Sequence, residues 1–156
     1  MKGRVEFMLT WVEVNSRAIA HNLRQFKKIA GRGVLLMPVI KANAYGHGFL
    51  NVARICQQNP DADRICVVSL QEAVELIKNK ITKKTIIILS FFDHNEKELA
   101  TAARNNVVFP IYNLADALIL NKAGKKANKT IKIHLKIDTG ASRLGIAQAE
   151  DLCAVL

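Results

Sequence analysis

Short β-branched runs alternate with amphipathic stretches along this chain. Val34–Ile40, Arg64–Val68, Thr85–Leu89, Val107–Ile111 and Thr130–Ile137 read as strands. An earlier strand, Leu9–Val14, alternates Trp11 with polar or smaller neighbours. Between the strands the apolar positions move to helical spacing. Ile19, Leu23 and Phe26 mark a helix over Arg17–Ala30, with Ser16 as its N-cap. Ser69-Leu70-Gln71-Glu72 has capping-box spacing ahead of a helix over Ala73–Asn79. Asp93 to Glu96 repeats that spacing ahead of Lys97–Asn105, and Asn113 caps Leu114–Lys122, which is expected to end at Gly124.

From Val34 onward, strand and helix alternate at the pitch of βαβ units, which predicts a parallel α/β sheet. Two arrangements compete: an open doubly wound sheet and a parallel (β/α)8 TIM-type barrel. No G-x-G-x-x-G follows any strand, which counts against a dinucleotide-binding open sheet. A barrel takes eight strands and about 250 residues, so on that reading the chain supplies about five of eight units. The leading strand and helix would occupy residues 9–30 and the barrel units 34–156.

Composition changes this picture little. Half of the 156 residues are apolar and 23% are charged, the mix of a globular protein with a real core. No apolar run approaches the roughly 20 residues of a membrane span. The N-terminus lacks an apolar signal-peptide core, and Glu6 interrupts it, so a cytoplasmic location and no membrane partner are expected. Cys56, Cys66 and Cys153 are odd in number and form no C-x-x-C pair, so buried inert thiols are expected, and no metal site.

The net charge of +10 raises nucleic acid as a partner. The lysines cluster at Lys78–Lys84 and Lys122–Lys132, with no aromatic residues interleaved for stacking. Both clusters fall between a helix and the next strand, away from the C-terminal end where barrel active sites lie. Solvated loops are the expectation, and no nucleic-acid partner.

Two stretches carry candidate chemistry. The first is Val39-Ile40-Lys41-Ala42-Asn43-Ala44-Tyr45-Gly46-His47-Gly48. With a period of two, Met37, Val39 and Lys41 share one strand face. An amine at the end of an apolar strand sheds part of its hydration and can form a Schiff base with a carbonyl. Glycines allow close backbone approach, and Tyr45 offers a hydroxyl to an anion. A strand that simply ends at a solvated lysine fits the same residues.

The second is Lys136-Ile137-Asp138-Thr139-Gly140-Ala141-Ser142-Arg143-Leu144-Gly145. Ile131, Ile133, Leu135 and Ile137 share one face; Lys132, His134, Lys136 and Asp138 share the other. In a barrel the aliphatic face meets the outer helices and the polar face points inward. Barrel interiors are normally apolar, so a polar inner face near the rim suggests a site. Arg143 follows on the loop, and a guanidinium can grip a carboxylate with two hydrogen bonds. A half-exposed strand with its polar face in water is the alternative.

Lys41-Ala42-Asn43-Ala44-Tyr45-Gly46-His47-Gly48 resembles, residue for residue, the pyridoxal-phosphate attachment motif of alanine racemases. Residues 136–145 resemble a second motif of the same family, and Trp11-Val12-Glu13 with His21-Asn22-Leu23 resembles its opening strand and helix. The likeness runs from about Thr10 to the end. It implies a barrel bearing pyridoxal 5'-phosphate, with Lys41 as the Schiff-base lysine and one of two catalytic bases. It implies that Tyr45 binds the cofactor phosphate and that Leu89 lines the cofactor pocket. Arg143 would contact the cofactor's phenolic oxygen and hold the substrate carboxylate. Lys136 would be a lysine that some members carry as a carbamate, with Asp138 in support.

The implied activity is interconversion of L- and D-alanine by two-base proton transfer, supplying D-alanine for peptidoglycan in a cytoplasmic homodimer. The family's second base, the arginine facing the pyridine nitrogen, the histidine against the ring and the C-terminal β-domain all lie past the residues matched here. This chain alone is therefore expected to be inactive. A non-catalytic pyridoxal-phosphate protein and a truncated interaction fragment are the alternatives. Against the family pattern, Ala141 stands where methionine is common, Asn15 replaces a usual aspartate, and Pro38 removes a donor from the strand leading to Lys41.

Overall fold

Parallel pairing of the aliphatic runs sets the architecture. The computed structural model describes residues 10–155. Its elements are α1 (Ser16–Ala30), α2 (Lys41–Tyr45), α3 (Phe49–Gln58), β1 (Arg64–Ser69), α4 (Leu70–Lys78), β2 (Thr85–Phe91), α5 (Glu96–Arg104), β3 (Val108–Ile111), α6 (Leu114–Ala127), β4 (Lys132–Leu135) and α7 (Ala149–Val155). The four strands are all parallel and lie in sequence order, β1-β2-β3-β4.

One strand parity faces the helices. Ile65, Val67, Ile86, Ile88, Phe109 and Ile111 share a buried core with Leu70, Leu76, Leu99 and Leu120 of the helices. The other parity, Cys66, Ile87 and Val108 with Leu89 against them, forms a separate small cluster. Helices on one face and no reversal of strand order are the winding of a barrel, not of a doubly wound sheet.

Residues 36–40 lie beside β1 as a fifth extended segment. Cys66 donates its amide to Pro38 O at 2.9 Å, Ile40 donates to Cys66 O at 3.0 Å, and Val39 forms an isolated parallel bridge to Cys66. A regular ladder would also draw on the amide of residue 38, and proline has none. The proline flagged in the sequence thus explains why this run forms one bridge and no full strand. The alternation holds: Ile40 is buried in the helix-side core, while Met37 and Val39 are exposed on the other face.

Several expectations need correcting. Leu9 lies outside the described residues, and Thr10–Asn15 form no strand. No described strand pairs with them, and Trp11 stays 70% exposed, its indole N–H donating to Glu13 at 2.9 Å. Asn15, not Ser16, caps α1, accepting from the Ala18 amide. Asn95, not Asp93, caps α5, accepting from Lys97 and Glu98. No helix over Phe49–Gln58 was expected, because Gly48 at its N-cap carries no capping side chain; Asn43 Oδ1 takes the Phe49 amide from six residues upstream.

Gly124 does not end α6, which runs on to a left-handed Asn128. A Cβ at Gly124 would sit 2.7 Å from Lys129 O, so this glycine serves close approach of the chain rather than a stop. The second lysine cluster is consequently helical in part, and Lys122 and Lys126 both pair with Glu96. In the first cluster, Lys84 donates to Asn59 O at 2.7 Å and to Ala62 O. Of the cysteines, Cys56 and Cys66 are buried, and burial pushes both thiols up to about 11; Cys153 is exposed. No helix of the described residues is long and apolar enough to cross a membrane.

Asp63 ties α1 to this frame. Its Oδ2 accepts from Lys27 Nζ at 2.6 Å and from the Leu36 amide at 2.6 Å, and Lys27 also donates to Val34 O. The Lys27 hydrogen bond, then the Leu36 amide, hold the Asp63 carboxyl below its ordinary 3.8. A depressed carboxyl contributes stability that is complete above its unfolded value and is lost as pH falls through the folded one. Asp63→Asn should therefore lower the thermal midpoint clearly at about pH 7, and the gap to wild type should close toward about pH 2. Paired thermal melts across that range check the sign.

Candidate active site

Because all strands run the same way, their C-terminal ends share one rim. Lys41 follows the 36–40 segment, Leu89 lies in β2, Tyr112 follows β3, and Lys136 to Arg143 follow β4. Lys41 is half-buried. The ion pairs among the described residues join Arg24 to Asp61, Lys27 to Asp63, and Glu96 to Lys122 and Lys126. No carboxylate among them engages Lys41, so its amine is uncommitted to a salt bridge.

The backbone after Lys41 turns left-handed. Ala42, Asn43, Ala44 and Tyr45 have φ of 51, 55, 51 and 54°, and Gly46 follows at 92°. Each such non-glycine residue costs on the order of 1–2 kcal/mol, so the surroundings must impose the conformation. They do so with hydrogen bonds. Ala44 donates to Ile40 O at 2.9 Å, Gly46 and Gly48 both donate to Asn43 O, and His47 Nδ1 lies 2.9 Å from Ala44 O. Ala44 is buried, while Tyr45 is 63% exposed on the rim.

Glu72 completes this clamp. Its Oε1 accepts the Ala42 amide at 2.9 Å and its Oε2 accepts the Val68 amide at 2.8 Å. Ser69 caps α4 as its spacing predicts, taking the Glu72 amide at 3.3 Å. The return half of a capping box, glutamate to the cap's own amide, is not made; the carboxylate is turned outward instead. The sequence showed the spacing of Glu72 but not this use of it.

On the far side, side chains finish β2. Lys136 Nζ donates to Leu89 O at 2.8 Å, and Tyr112 donates its hydroxyl to Ser90 O. Burial, followed by the Asp116 charge, raises the Tyr112 phenol above its ordinary 10. Leu89 packs against Cys66, Ile87 and Val108, on the face opposite the helices. Leu89 and Lys136, expected at the site in separate roles, thus meet through a backbone carbonyl.

The loop that carries Arg143 is pinned at both ends. Asp138 donates its amide to Ile146 O at 2.9 Å, and Ile146 donates to Lys136 O at 2.8 Å. The Asp138 carboxylate accepts from Gly140 N and Ser142 N at 2.9 and 3.1 Å. Those amides, Gly140 first, hold it below the ordinary aspartate value. Asp138 therefore acts on the shape of the loop. Arg143 is exposed, and no hydrogen bond or ion pair among the described residues joins it to Lys136 or Lys41. No group of acidic, cysteine or histidine side chains among the described residues could hold a metal.

The fold that carries these residues has counterparts among known proteins. Residues 14–156 match the family model described as alanine racemase, N-terminal domain. An alanine racemase of Methanococcus maripaludis is 39% identical over 135 residues, covering 86% of this chain and 35% of that protein. The chain thus spans about a third of the length of the curated relatives it matches. Among solved structures, the alanine racemase of Bacillus anthracis with bound L-Ala-P superposes with a TM-score of 0.80 at 30% identity, over 96% of this chain and 37% of that one. A histidine racemase from Leuconostoc mesenteroides superposes with a TM-score of 0.76 at 26% identity, over 90% and 36%.

Gly145 tests the pinned loop. It has φ of +135°, and a Cβ there would lie 2.6 Å from Asp138 N and 2.8 Å from Ile137 C. Gly145→Ala should break the Asp138–Ile146 pairing, at on the order of 1–3 kcal/mol. Amide exchange should quicken by about tenfold or more at Asp138 and Ile146 while β1 and β2 keep their protection.

Proposed function

The chain belongs to the alanine racemase N-terminal domain family, and on that premise we propose that it is the cofactor-anchoring part of a pyridoxal-phosphate-dependent racemase that interconverts L- and D-alanine. The observation that carries this reading is the half-buried Lys41, free of any salt bridge among the described residues, followed at once by a left-handed turn that presents Tyr45 on the same rim.

The donor set suits the group. A primary amine can condense with an aldehyde, a phenol hydroxyl can donate to a phosphate, and a guanidinium can grip a carboxylate. Lys41 would hold pyridoxal phosphate through a Schiff base, Tyr45 would bind its phosphate, and Leu89 would form an apolar wall. Arg143 would reach the phenolic oxygen and the substrate carboxylate. When bound, the cofactor supplies an electron sink for the charge left when the α-proton of an amino acid departs.

The chain's own residues do the rest. Once a substrate amine takes its place on the cofactor, the freed Lys41 Nζ would remove the α-proton of D-alanine, or deliver one in the reverse direction, on one face. Arg143 fixes the carboxylate so that this proton faces Lys41. Asp138 and Gly145 keep the Arg143 loop in shape. The family resemblance assigns the proton on the opposite face to a tyrosine outside the residues matched here, contributed across a homodimer. D-alanine for peptidoglycan in the cytoplasm is the proposed destination.

Cofactor trapping tests the assignment of Lys41. Incubating the chain with pyridoxal phosphate, reducing with borohydride and mapping the peptides should give an adduct concentrated on Lys41, and Lys41→Ala should abolish it. An adduct spread evenly over the surface lysines would overturn the reading.

A further inference from the structure

The ladder between residues 36–40 and β1 stops abruptly at Lys41, and the groups it strands show what replaces it. One more regular parallel step would pair the Val68 amide with Ile40 O, and the Ala42 amide with Val68 O. Neither bond forms. The left-handed turn uses Ile40 O for the Ala44 amide at 2.9 Å. At the same level the β1–β2 register shifts between Val67 and Ser69. Two amides, one directly after Lys41, are left without backbone partners where two strands part, and such groups must find another acceptor.

Glu72 accepts both, one with each oxygen, at 2.9 and 2.8 Å. From this geometry we infer that Glu72 is the positioning residue of the proposed Lys41 site. Its carboxylate stands in for two ladder rungs, sets the backbone where it leaves the strand for the left-handed turn, and so aims the Lys41 amine and the Tyr45 hydroxyl. This rests on the assignment of Lys41 made above. Several features single Glu72 out from an ordinary helix-capping glutamate. Both oxygens leave its own helix, and the residues they hold belong to two different segments. A charged acceptor also makes each bond stronger than a neutral one would. A glutamine cannot replace it, because an amide side chain has one oxygen and its NH2 group only donates.

The test uses the chain with pyridoxal phosphate, borohydride reduction and site-resolved mass spectrometry. The readout is the share of adduct on Lys41 relative to the remaining lysines, which serve as internal controls. Glu72→Gln should cut that share about tenfold or more, since small misplacements of a reacting group are costly. Amide exchange at Ala42 or Val68 should quicken in the same variant.

Ser69→Ala is the structural control. It removes the α4 cap but leaves the Glu72 carboxylate and both of its amides in place, so it should keep the Lys41 share even where it lowers the melting temperature. A Glu72→Gln chain that melts as a folded protein and keeps the wild-type share overturns the inference. So does a Ser69→Ala chain that loses the share as fully as Glu72→Gln. If Glu72→Gln does not fold, Glu72→Asp is read in its place: its carboxylate is one methylene short, so loss of the share supports the inference and full retention overturns it. A wild-type chain with no preference for Lys41 would instead sink the assignment of Lys41, a result distinct from either.

Discussion

Everything at the rim follows from one constraint: a parallel ladder has to end, and its last amides and carbonyls still need partners. Four successive non-glycine residues turn left-handed directly after Lys41, which takes the chain out of the sheet within one residue. Such a turn is unfavourable by itself. It persists because Ile40 O, Asn43 O and the Glu72 carboxylate each accept what the turn releases. The lysine is therefore held between an aliphatic run, which buries Ile40 among the helices, and a turn whose shape is imposed from outside.

The same solution recurs around the rim. The Leu89 and Ser90 carbonyls receive Lys136 and Tyr112 side chains. The amides of Gly140 and Ser142 receive the Asp138 carboxylate. Away from the rim, Asp63 does likewise for the Leu36 amide while pairing with Lys27. Glu72, Asp138 and Asp63 each hold two groups at once, so the segments beside them inherit defined positions. Tyr45 and Arg143 stay exposed on this frame, placed by the segments that carry them rather than by partners of their own.

Much of this was legible in the residues. The period-two pattern put Met37 and Val39 on one face and separated Leu135 from Lys136, and the structure keeps both divisions. Strand spacing predicted the parallel order, and Ser69 and Asn113 cap the helices their spacing indicated. What escaped depends on contacts distant in sequence. Glu72 has the spacing of a cap partner, but its acceptors are spent on residues 42 and 68. Helix α3 opens at a glycine whose cap comes from Asn43, so no local signal marked it. The shift from Ser16 to Asn15, and from Asp93 to Asn95, reflects several polar residues in a row that can each accept an amide, where only geometry chooses. Left-handed backbone at Ala42 and Ala44 runs against residue preference, and no reading of local propensity would have found it.

The closure of the loop around Gly145 has an evolutionary side. Ile146 and Asp138 fasten it to the end of β4, and the Asp138 carboxylate shapes its first half. Ala141, in between, is exposed. Its backbone amide adds to those that stabilise the Asp138 carboxylate, a contribution that does not depend on which side chain the residue carries. A lineage could therefore rewrite the side chain at position 141 and keep the backbone path that delivers Arg143.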